Sequence, residues 1–208
     1  MSVPVFPDSL VFLGTPDLSV PFLNALVASD KKVVLVITKE DQRRGRGQNF
    51  SPSPVKKAAM DLGILVTHDM RDLESCGAQL GVVVAYGEFI PLTILKNLPM
   101  INVHFSLLPR WRGPSPVERA ILSGDKKTGV CVIQVGNKFD IGDVYNQTEV
   151  LIDSHETSVG LKDKLVKVGV NLLLETLSTG LSEPYPQVGV PTWADKLTQE
   201  DRRLDWNQ

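Results

Sequence analysis

Asn102 and His104 stand two residues apart in the run Met100-Ile101-Asn102-Val103-His104-Phe105, a spacing that invites chemistry. In a strand, the period of two sends both polar side chains to one face, roughly 6 to 7 Å apart. Ile101, Val103 and Phe105 then fill the opposite, core-facing side. An amide and an imidazole aimed the same way are two donors for a developing oxyanion. On this spacing alone, a histidine satisfied inside the core is the commoner arrangement. The following residues, Ser106-Leu107-Leu108-Pro109-Arg110-Trp111-Arg112-Gly113-Pro114, shift the balance, because no structural loop requires two arginines and a tryptophan there. Asp140 lies 38 residues after Asn102, in Phe139-Asp140-Ile141-Gly142-Asp143, which read alone is an ordinary Asp/Gly turn. Arg43, Arg44 and Arg46 crowd the stretch from Lys39 to Gly47 and make a local basic patch. Phosphate contacts from such a loop would weaken as salt rises.

The elements that must position these groups are legible as apolar runs. Ser9 to Leu13, Lys31 to Thr38, Ile64 to Val66, Gly81 to Ala85 and Met100 to Phe105 read as strands, most of them buried on both faces. Leu18 to Ser29 and Pro54 to Leu62 have helical spacing between them. This alternation predicts an α/β fold with a doubly wound, mostly parallel sheet flanked by helices. Thr128 to Gln134 and Val144 to Ile152 read as a hairpin-like pair. Leu161, Leu165, Val168, Leu172, Leu173 and Leu177 predict a long amphipathic helix ending at Gly180. Pro184, Pro186 and Pro191 mark an extended tail.

The chain has 208 residues, 42% hydrophobic and 22% charged, with formal charge −2, which suits a single folded domain and excludes a disordered or wholly basic chain. Cys76 and Cys131 are isolated, which argues against structural zinc and fits a reducing compartment. No apolar run approaches the ~18 to 20 residues of a membrane helix, and the N-terminus lacks the pattern of a secretory signal. Gly14-Thr15-Pro16-Asp17 follows a strand, but neither GxGxxG nor GxxxxGK[ST] is present, so it reads as a turn and helix start or as a weak phosphate contact.

The motif NVHFSLLPRWRG resembles the signature of the folate-dependent formyltransferases, and among them the members acting on methionyl-tRNA. GTPD, GRG, SPSPVK, VVVAYG, GDKKTGV, FDIGD and the closing ADKL and LDW extend the resemblance over almost the whole chain. It implies a Rossmann-like fold and formyl transfer from 10-formyltetrahydrofolate to the amino group of initiator methionyl-tRNA, for translation initiation. The catalytic Asn, His and Asp of the family fall on Asn102, His104 and Asp140. A carboxylate beside an imidazole favours its cationic form, so Asp140 is expected to keep His104 a donor, or to relay the amine's proton. The resemblance places the folate against Ala85, Tyr86, Gly87, Glu88, Phe89 and Ile90, with Ser106, Leu107, Leu108 and Pro109 beside it. It places tRNA on Arg43, Arg44 and Arg46, with Arg110 and Arg112 as further candidates for phosphate or the folate tail. No metal is implied, and a monomer without membrane attachment is expected.

Several departures from the pattern carry expectations of their own. Only ten residues, 71 to 80, separate Met70 from Gly81, which predicts a truncated or missing crossover helix. Residues 1–181 are read as the catalytic domain and 182–208 as a linker-like tail, without the β-barrel that follows in relatives. Phe139, where bacterial members usually carry leucine, leans towards a mitochondrial rather than a bacterial cytoplasmic source. The alternatives are an amino sugar or glycinamide ribonucleotide as acceptor, and a silent folate- or RNA-binding remnant.

Overall fold

The computed structural model describes residues 4–29, 31–44, 49–181 and 183–203. The apolar runs form β1 (Ser9–Gly14), β2 (Lys32–Ile37), β5 (Val66–Thr67), β6 (Leu80–Val84) and β7 (Met100–His104), all parallel. β8 (Lys127–Gln134) runs antiparallel to β7, and β9 (Val144–Leu151) antiparallel to β8. The strand order β5-β2-β1-β6-β7-β8-β9 reverses direction of progression between β1 and β6, the crevice where such sheets hold ligands. The expectation of a mostly parallel α/β sheet is met.

Alternation along the strands divides the core in two. Leu10, Phe12, Val82, Val84, Ile101 and Val103 point to one face. There they meet α1 (Val20–Ala28), α2 (Pro54–Asp61), α4 (Pro116–Leu122) and α5 (Ser158–Thr179). α5 is the predicted long helix; Thr157 caps it, its hydroxyl accepting from Gly160 N at 3.1 Å, and Leu161, Leu165, Leu172, Leu173 and Leu177 are buried. Each such buried leucine contributes roughly 1.5 to 3 kcal/mol relative to exposure. Val11, Leu13, Leu35, Ile37, Val83 and Met100 point to the other face. Its cover is thin: a 3-10 turn at Met70–Glu74, the loop after β6, and the four-residue α3 (Leu92–Leu95). The short connection before Gly81 has indeed replaced a full crossover helix.

Other features depart from the sequence reading. The stretch rich in arginine begins as a small hairpin, β3 (Gln42–Arg44) with β4 (Asn49–Ser51), rather than a plain loop. The edge strand β5 starts two residues later than the apolar run suggested, since Ile64 and Leu65 lead into it from α2. The helices α3 and α4 are too short for periodicity to reveal. Finally, the proline-rich stretch after 182 is extended but not loose. Val144 and Tyr185 exchange backbone hydrogen bonds at 2.8 and 3.0 Å, and Ala194, fully buried, donates to Arg112 O at 2.7 Å.

Candidate active site

The polar face of β7 opens where the parallel strands end. Asn102 and His104 share that face as their spacing required, while Ile101 and Val103 lie in the opposite core. Asp140 arrives from the connection between β8 and β9, which is a nine-residue excursion (residues 135–143) rather than a tight turn. Asn102 Nδ2 donates to Asp140 Oδ1 at 3.1 Å, and His104 Nδ1 lies 3.4 Å from the same oxygen. Gly113 N donates to Asp140 Oδ2 at 2.9 Å. Both carboxylate oxygens are thereby fixed.

The other ring nitrogen of His104, Nε2, is 2.8 Å from the carbonyl oxygen of Trp111. A carbonyl only accepts, so Nε2 carries a proton. Nδ1 is left facing the Asp140 carboxylate at 3.4 Å. The His104 and Asp140 side chains are only 6% and 10% exposed, so water does little to weaken their interaction. Trp111 is itself anchored: its indole donates to Asp125 Oδ2 at 2.8 Å, and Arg110 clasps the same carboxylate at 2.8 and 2.6 Å while lying over the indole ring. The Arg110 hydrogen bonds, helped by Trp111, hold the Asp125 carboxyl below its ordinary range despite partial burial. Arg110 thus ties the loop to Asp125 while its side chain stays 45% exposed.

Among the described residues, the non-glycine residues with left-handed backbone are Ala85 (φ 47°), Trp111 (φ 64°) and Asp140 (φ 54°), and all three build this site. Such conformations cost on the order of 1 to 3 kcal/mol each and persist only where the surroundings over-determine them. The loop after β6 shows how. Ser19 Oγ donates to Val84 O at 2.8 Å, Thr15 Oγ1 to Tyr86 O at 3.1 Å, and Lys39 Nζ to Gly87 O at 3.1 Å. Thr15, within GTPD, thus braces this loop, and a 3-10 turn at Asp17–Ser19 leads from it into α1. Tyr86 donates to Glu88 Oε2 at 3.2 Å, and burial first, then the Glu88 charge, pushes its phenol well above the ordinary value.

Between this loop and the Asn102, His104, Asp140 group lies a cavity of about 550 Å³. Ala85, Tyr86, Gly87, Glu88, Phe89 and Ile90 all line it. Ser106, Leu107, Leu108 and Pro109 do not. Ser106 Oγ donates to Arg110 O at 2.6 Å, Leu107 abuts Gly129, and Leu108 packs with Cys131, Ile133 and Val144, so these four shape the loop behind the site. Arg43 and Arg44 sit on β3, away from the cavity, and Arg43 lies over the Phe50 ring. Arg46 falls outside the described residues.

The profile of the formyl transferase family matches residues 9–177. The chain belongs to that family. It is 40% identical over 211 residues to a methionyl-tRNA formyltransferase of Heliobacterium modesticaldum, covering 95% of this chain and 67% of that protein. It is 42% identical over 212 residues to one of Dinoroseobacter shibae, covering 96% of this chain and 71% of that protein. HypX from Aquifex aeolicus, solved in complex with tetrahydrofolic acid, superposes with a TM-score of 0.71 at 21% identity. The match covers all of this chain and 32% of that one, and shows the fold alone.

These sequence relatives are bacterial and give no support to the mitochondrial lean drawn from Phe139. No described helix of this formyl transferase is long and apolar enough to cross a membrane, and the described residues hold no cluster of metal ligands. Sequence reasoning missed Trp111 O and Gly113 N as parts of the site, because backbone atoms leave no mark in residue types.

Proposed function

We propose that this formyl transferase moves the formyl group of 10-formyltetrahydrofolate to the amino group of methionyl-tRNA. The observation that carries the reading is the Asn102, Asp140, His104 constellation, nearly dry, at one wall of a cavity of suitable size. A volume of about 550 Å³ accommodates a pterin and its linker, and the braced loop Ala85–Ile90 offers a preset backbone edge to read it. The identity to methionyl-tRNA formyltransferases over nearly the full chain supports the acceptor, against an amino sugar or glycinamide ribonucleotide.

The folate supplies an activated formyl carbon on a weakly basic aryl nitrogen. As the methionyl amine adds to that carbon, its oxygen gains negative charge. Asn102 spends one amide proton on Asp140 and keeps the second for this oxygen. His104 Nδ1, at 3.4 Å from Asp140 and so not engaged by it in a full hydrogen bond, donates to the same oxygen when it carries a proton. Such preorganised donors are worth about 3 to 4 kcal/mol of barrier each. Asp140, freed of that partner, accepts the amine proton directly or through water, and the proton returns to the departing folate nitrogen. The β3 and β4 hairpin, with Arg43 and Arg44, is the surface for the tRNA acceptor stem.

A formylation assay with charged initiator tRNA and 10-formyltetrahydrofolate tests this. Asn102→Ala and His104→Ala should each lower the transfer rate by about 10² to 10³ while folate binding by equilibrium dialysis stays near wild type. A wild-type rate in either variant sinks the assignment. Folate binding without turnover by the wild-type protein would instead identify a silent relative.

A further inference from the structure

Gln187 lies in the proline-rich segment beyond the residues matched by the family profile, yet it reaches into the site. Its Nε2 donates to Asp140 O at 2.9 Å and to Gly142 O at 2.8 Å. Its Oε1 accepts from Arg112 Nε at 3.1 Å and from Nη2 at 2.6 Å. These four contacts use both amide protons and both lone pairs of the side-chain oxygen. A glutamate would keep the bonds to Arg112 but present an oxygen to the two carbonyls. An asparagine would be too short to span both partners.

The two carbonyls bracket Ile141, in the turn that holds Asp140 at φ 54°. Left-handed backbone at a residue with a Cβ needs external support, and the Gln187 amide supplies it on the backbone side while Gly113 and Asn102 supply it on the carboxylate side. Arg112, the other partner, lines the cavity.

We infer that Gln187 is a positioning residue for formyl transfer: it holds the Asp140 turn so that the carboxylate faces Asn102 and His104, and it couples that turn to Arg112 at the cavity wall. It touches no reacting atom and acts through Asp140. The inference rests on the functional reading above, so its test carries one measurement that needs no acceptor.

Gln187→Glu and Gln187→Ala should both lower kcat by roughly 10- to 100-fold, the cost of an ångström-scale misplacement. KM for the folate should stay within about twofold, and Gln187→Glu should add almost nothing on an Asp140→Ala background, because the two act as a unit. Wild-type kcat in Gln187→Glu would mean that only the Arg112 link matters, and overturns the inference. A full additional loss on the Asp140→Ala background overturns it as well.

The acceptor-independent readout is the 15N signal of the His104 ring, identified by its disappearance in His104→Gln. It should move in Gln187→Glu as Asp140 shifts; an unchanged His104 ring overturns the inference. If the wild-type chain does not formylate methionyl-tRNA at all, the functional reading fails while the ring signal still decides the role of Gln187.

Discussion

Adding one methyl group at Gly142 perturbs the site without touching any group that does chemistry. A Cβ there would lie 1.7 Å from the carbonyl oxygen of Gln134 and 2.7 Å from its carbon, where ordinary contact begins at 3.4 Å. Gln134 ends β8 and pairs with Ile101 of β7, so its carbonyl is held by the sheet and the turn must yield. Opening the gap means displacing the 140–143 turn by more than an ångström, enough to stretch the 3.1 Å bond from Asn102 to Asp140 beyond hydrogen-bond range. Misplacement on that scale costs about 100-fold in rate. Overpacking costs about 1 to 3 kcal/mol, which for a domain of this size lowers Tm by roughly 2 to 12 °C. The assay is single-turnover formylation for Gly142→Ala, with thermal unfolding alongside. Gly136→Ala, whose methyl meets nothing within 4 Å, sets the baseline for stability in the same excursion. A Gly142→Ala protein with wild-type rate and Tm would refute both the crowding argument and the requirement for a fixed Asp140.

Two further predictions concern groups around the site. Asp125 binds Arg110 and Trp111, and its carboxyl is depressed in the folded protein. The stability it gives is therefore present above the ordinary unfolded value near 4 and is lost as pH falls through the lower folded one. Asp125→Asn should cost about 1 to 2 kcal/mol at pH 7, with the difference from wild type vanishing in acid when ΔG is measured against pH by urea unfolding; a difference that persists in acid would contradict it. Cys131 is fully buried, and burial pushes its thiol up to about 11. A thiol reagent at pH 8 should therefore label Cys76 alone in the native protein and both cysteines in guanidinium, and rapid native labelling of Cys131 would show that β8 opens.

The parts of this molecule that were readable in its sequence are those governed by short-range periodicity. Five parallel strands announced themselves as apolar runs, and the period of two placed Asn102 and His104 together before any fold was known. Asp140 is different. Its turn is unremarkable in sequence, and only the family resemblance joined it to the other two across 38 residues. The bond from Arg110 to Asp125 was not legible, because that partner is chosen by tertiary folding and not by spacing. Ser106 to Pro109 sit in the strongest motif of the chain yet are not among the residues lining the cavity beside Asn102, since a loop that must hold Trp111 in a left-handed conformation constrains its own residues as tightly as a binding wall does. Gln187 was invisible for the opposite reason, lying in a stretch whose prolines suggested only a connector.

The pairing of Arg112 with the stretch around Trp193 has a temporal consequence. Arg112 N donates to Thr192 O at 2.9 Å, so the loop between Trp111 and Gly113 is tied down by residues about eighty positions later in the chain. During synthesis the parallel strands and β8 emerge and pair long before that partner exists, in keeping with the general tendency of chains to fold from the N-terminal side. A nascent chain therefore reaches a sheet with Asn102 and His104 in place while the Arg112 backbone still lacks its partner at Thr192. The site is complete only once the segment around Thr192 and Ala194 has docked on Arg112.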